Sequence, residues 1–102
     1  MPRYDGKPFL RFLDCYVLSS IGHLDEKQEN TLNLLAPKLS QTLGIEGSWL
    51  DMVAAQMEFS SDLPEKILKI WEAGQARAKE HGMSVDPEEF ARQFVDKNFS
   101  VQ

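Results

Sequence analysis

The stretch PFLRFLDCYVLSSIGHL, residues 8–24, limits what this chain can fold into more than any other. On a helical wheel of about 100° per residue, Phe9, Phe12, Leu13, Tyr16, Val17, Ser20 and Leu24 share one broad face. Leu10, Leu18 and Ile21 widen it round one side, so apolar groups cover most of the circumference. A helix of that kind is buried by several neighbours rather than laid on one. The strip left over, Arg11, Cys15, Ser19 and Gly22, is mostly small and lets another backbone come close. Pro8 suits the first helical position, where its missing N–H goes unused. Arg11 and Asp14 break the run, so it is too short and too charged to cross a membrane. Those charges, and the lack of an A-x-A-like cleavage site, read the stretch as folded protein rather than a signal sequence. The expectation is a central N-terminal helix with the other segments packed around it.

Downstream, helix starts and stops are written in local chemistry. Asp25 and Gln28 have the spacing of a capping box, in which each side chain satisfies a free N–H at the helix start. A helix should run from there to Leu43 and end at Gly44, the usual left-handed terminator. Leu32, Leu35, Ala36, Leu39 and Leu43 form its stripe. Pro37 lies inside it and deprives the Asn33 carbonyl of a partner, which predicts a bend; two short helices meeting near Ala36 are the alternative. Ser48 with Asp51 opens a short helix over residues 49–58. Asp62-Leu63-Pro64-Glu65 reads as a capped start with an early proline, for a helix reaching His81 and closed by Gly82. Its stripe is Leu63, Ile67, Ile70, Trp71, Gly74 and Ala78. A glycine in mid-helix costs about 1 kcal/mol against alanine, so Gly74 predicts a close backbone contact. Asp86-Pro87-Glu88-Glu89, with Val85 placed to staple against Phe90, opens the last helix, which should run to about Lys97. Phe99 and Val101 fall in the tail, and residues 1–7 and 100–102 are expected to be loosely ordered.

No segment alternates as strands do, and no linker or repeat divides the chain. The fold expected is all-α: a single domain, residues 1–102, built as an irregular (orthogonal) bundle of about five helices. One modest core is what 102 residues allow. The acidic balance, −5 overall, leaves no basic stripe, which disfavours nucleic acid, acidic partners and anionic membrane surfaces. A single cysteine excludes an internal disulfide and fits a reducing, cytoplasmic setting.

No catalytic, cofactor or metal motif is present: no H-E-x-x-H, P-loop, G-x-G-x-x-G, paired CxxC or EF-hand loop. One Cys and two His are too few for a usual structural zinc site. Cys15 reads as a small buried hydrophobe, and His81 as a cation near a helix C-terminus. Three polar groups stand out as candidates for an inter-helix pocket. Asp14 lies between apolar positions of the central helix, His23 sits at a corner beside Asp25 and Glu26, and Gln56 lies on the inward side of the third helix. Each has a plain structural role as a hydrogen-bonder, and none brings a catalytic constellation with it. The larger surplus is apolar. Trp49, Leu50, Met52, Met57 and Phe59 crowd one short helix, and methionine with aromatics is frequent on adaptable binding surfaces. Core packing accounts for much of that set; whatever stays exposed would be a candidate surface for a protein partner or a homodimer. The expectation is therefore a non-catalytic interaction or regulatory module. A small ligand-binding protein or enzyme with an inter-helix pocket is the alternative.

Overall fold

The computed structural model describes residues 9–98. The expectations for residues 1–8 and for Phe99 and Val101 lie outside that range. Five helices follow one another: α1 (Phe9–Ser20), α2 (Glu26–Leu43), α3 (Trp49–Met57), α4 (Leu63–Glu80) and α5 (Pro87–Asn98). Among the described residues there is no strand, so the fold is all-α.

Every residue of α1 from Phe12 to Leu18 is buried. At 3.6 residues per turn that run goes round the circumference nearly twice, so neighbours close α1 on all sides along its middle. Leu10, Leu18 and Ile21, the three that widen its apolar face, are at most 8% exposed. Helices α3, α4 and α5 pack directly on α1, whereas α2 packs chiefly on α3. Fully buried side chains come from every layer: Leu13 and Val17 from α1, Leu32 from α2, Met52 and Val53 from α3, Ile67 from α4 and Val95 from α5. Burying one such side chain contributes roughly 1.5–3 kcal/mol, which makes this the main stabilising term.

The local punctuation is mostly where the sequence puts it. Asp25 accepts from the Gln28 N–H at 2.7 Å while the Asp25 N–H donates to Gln28 Oε1 at 3.4 Å, a complete capping box. Ser48 Oγ accepts from the Asp51 N–H, and Asp86 from the Glu89 N–H. Glu89 does not reach back to close a second box; its carboxylate accepts from Gln93 one turn on. Helix α2 continues through Pro37 as one element, with Pro37 and Asn33 both exposed, where water can satisfy the freed carbonyl. Gly22, Gly44 and Gly82 end three helices in the left-handed conformation. Helix α3 ends the same way without a glycine: Glu58 has φ 55°, and the Phe59 N–H turns back to the Ala54 carbonyl at 2.9 Å.

Two expectations for α4 are corrected. Asp62 makes no capping bond; its carboxylate pairs instead with Lys66 at 3.3 Å. Ser60 and then Lys66 hydrogen-bond that carboxylate and hold it below the usual carboxylate range. Gly74 meets no backbone, since a Cβ built there would have nothing within 4 Å. Packing on α1 ends near Trp71, with Gly74 and Arg77 exposed and Ile70 itself 50% exposed. The stripe read from the sequence is longer than the surface available to cover it. A hydrogen bond from the Val85 N–H to Gln75 Oε1, 3.3 Å, ties the α4–α5 connection back to α4.

Candidate functional site

Because α2 packs chiefly on α3, the space between α1 and α2 is left as two furrows. The first lies between α1, α2 and α3 and has a volume of about 510 Å³. Its walls are apolar: Phe9 and Phe12 from α1, and Leu35, Leu39 and Leu43 from α2. Its edges carry Arg11, Lys38, Thr42 and Gln56, and among the described residues no acid lines it. The register of α2 produces this lining. Leu35, Leu39 and Leu43 recur every four residues and share one face, and Lys38 and Thr42, one position before the last two, fall beside that face. Thr42 Oγ1 donates to the Lys38 carbonyl at 2.9 Å, which holds its methyl and hydroxyl in one orientation.

The second furrow, about 340 Å³, lies between α1, α2 and α5. It is polar. Asp14 and Cys15 form its floor with Leu18 and Leu32, and Lys27, Gln28, Thr31, Glu88 and Arg92 stand along its sides. Arg92 pairs with Glu88 at 3.3 Å across one turn of α5. Asp14 is 3% exposed and is partnered within the protein, as a buried carboxylate must be. Burial, and then the Asp14 carboxylate beside it, push the Cys15 thiol up from 9.0 to about 11. A thiol held in its neutral form is a poor nucleophile and a poor metal ligand. Among the described residues no three His, Cys, Asp or Glu side chains converge as a metal site.

The polar trio singled out in the sequence is not brought together. Asp14 lies in the polar furrow and Gln56 at the edge of the apolar one. Gln56 is exposed rather than buried, on the side of α3 that borders the furrow. His23 lines neither furrow; its ring meets Trp71 edge-on, with centroids 5.2 Å apart, and Trp71 meets Phe90 at 5.1 Å.

The apolar set on α3 divides as well. Trp49 and Met52 are 2% and 0% exposed and belong to the core, Trp49 facing Phe12 with ring centroids 6.3 Å apart. They offer no surface to a partner. Leu50, Met57 and Phe59 are half-buried against the same core. The surface that replaces them is the α2 wall of the apolar furrow, Leu35 and Leu43 with Lys38 beside them. Its sequence signal was the α2 stripe itself: five apolar residues on a helix whose partner, α3, is half its length.

Among the described residues no helix is long and apolar enough to cross a membrane. No protein-family model, curated protein or solved structure matches this chain, so what it does is read from the two furrows alone.

Proposed function

We propose that this chain is a non-catalytic interaction module of the cytoplasm whose contact surface is the apolar furrow between α1, α2 and α3. One observation carries the reading: five apolar side chains wall an open trough of about 510 Å³ with polar and basic groups only at its edges. That is the anatomy of an interface, an apolar centre inside a polar rim. It is also the shape into which an amphipathic helix lays its apolar face. Its volume also lies in the range of small-molecule sites, and it is the apolar centre with a polar rim that favours a macromolecular segment. Selection of short displayed peptides on the folded chain tests the reading. Binders that are amphipathic and are lost on Leu35→Glu support it; binders that persist on that variant, or a selection that yields none, contradict it.

The polar furrow favours a second reading, a site for a small polar ligand. Its support is a buried carboxylate, Asp14, on the floor of a cleft whose sides carry Lys27, Gln28 and Thr31. Thermal-shift screening against metabolites tests it. A stabilising hit abolished by Thr31→Val would favour it, and a screen without hits would leave the apolar furrow as the functional surface.

A further inference from the structure

We infer that the segment received by the apolar furrow is an acidic amphipathic helix of another protein; the inference rests on the reading of that furrow as the contact surface. The chain carries 16 acidic residues against 11 basic ones, yet no acid among the described residues lines this furrow; its edge carries Lys38, and Arg11, which is partnered within the protein, is shared with the polar furrow. The sign at this edge is set by Lys38 and is opposite to that of the chain as a whole, which sets the furrow apart from the acidic balance that disfavours acidic partners elsewhere on the surface. Charges at the rim of an apolar contact select partners by sign and steer their approach more than they add affinity. The complementary segment therefore carries leucine-like side chains at i, i+3, i+4 and i+7, to meet Phe12, Leu35 and Leu39. It carries carboxylates on the flank, to meet Lys38.

Charge also weighs against residues 1–8 as the occupant. Residues 1–8 contain Arg3 and Lys7 against one acid, Asp5, the same sign as the rim. A second copy is also a poorer fit. The large apolar side chains it exposes on α4, Leu68 and Ile70, are flanked by Lys66 and Lys69 as well as Glu65 and Glu72, with no acidic excess.

Two synthetic helical peptides with the same leucine stripe, one with glutamate flanks and one with lysine flanks, separate the possibilities by fluorescence anisotropy. The glutamate peptide is expected to bind about five- to tenfold more tightly at low salt, the range that one or two exposed ion pairs supply, and that margin should shrink as salt rises. Lys38→Glu should reverse the preference, and Leu35→Glu should abolish binding of both peptides. Thr42→Glu, at an exposed position beside the same wall, should weaken the glutamate peptide without disturbing the core. Equal or tighter binding of the lysine peptide, still lost on Leu35→Glu, would overturn the inference and leave the furrow as the contact surface. Failure of both peptides would remove the reading of the furrow itself. Light scattering that shows a dimer dispersed by Leu35→Glu would assign the furrow to a second copy, and binding seen only after residues 1–8 are removed would assign it to them. Either result overturns the inference.

Discussion

Phe59 reaches Tyr16, ring centroid to ring centroid at 5.0 Å, because Glu58 between them and α3 adopts a left-handed backbone conformation with φ 55°. Tyr16 is a core residue of α1, 5% exposed, and Phe59 caps it from outside. The turn at Glu58 thus joins the end of α3 to the middle of the central helix. A left-handed residue with a Cβ is disfavoured by roughly 1–2 kcal/mol, and glycine is not. Glu58→Gly is expected to raise stability by up to about 1 kcal/mol after allowance for glycine's greater freedom in the unfolded chain. Urea denaturation measures this directly. A variant less stable than the parent would show that residue 58 is not left-handed.

The Cys15 thiol gives a pH signature. Its folded value is pushed up from 9.0 to about 11 by burial and the neighbouring Asp14, and burial raises the Tyr16 phenol as well. The unfolded chain therefore releases the thiol proton at lower pH than the folded one does. The stabilisation from keeping the thiol neutral is complete below pH 9.0 and is lost progressively as pH rises towards about 11. Urea midpoints measured across that window should fall less steeply for Cys15→Ala than for the parent. In the native protein at neutral pH, a disulfide reagent should leave the thiol almost unmodified, and unfolding in urea should release it. Rapid native modification would contradict the buried placement.

Capping separates two aspartates that look alike in sequence. Asp25 closes a full box on α2, so Asp25→Ala should lower stability by about 0.5–2 kcal/mol. Asp62 has no capping bond and only solvated contacts, a hydrogen bond from Ser60 and an ion pair to Lys66, so Asp62→Ala should matter distinctly less. Equal losses in chemical denaturation would restore the cap that the sequence suggests.

The two ends of the burial scale supply a control. Leu13 is 0% exposed and Leu34 80% exposed. Leu13→Ala should cost about 2–5 kcal/mol, and Leu34→Ala should change stability by no more than about 0.5 kcal/mol.

Those contrasts mark what was legible in the sequence. Helix identity and ends were, because caps, glycine terminators and apolar spacing are local: Asp25 with Gln28, Gly44, Ser48 and Pro87 each name a boundary by their own chemistry. The burial of Leu10, Leu18 and Ile21 followed from the nearly all-round apolarity of α1. The helix pairings were not legible. That α2 rests on α3, leaving a trough beside Phe12, depends on side-chain shapes far apart in sequence. For the same reason Gly74 looked like a contact and is open, and which of the α3 apolar set would go to the core, as Trp49 and Met52 do, could not be told from its composition. The Glu58 turn carried no glycine to announce it. Of the candidate site, Gln56 alone lies at the edge of the apolar furrow. The rest of that furrow was present in the sequence only as a stripe with Lys38 beside it.

The claim that binding takes place in the trough beside α2 is tested most directly by a nitrogen-labelled NMR titration with the glutamate-flanked peptide. The account predicts shifts in the amides around Phe12, Leu35, Lys38 and Leu43, together with a change at the Trp49 indole, which Phe12 touches from the core side. Shifts confined to the exposed face of α4 around Leu68 and Ile70 would contradict it.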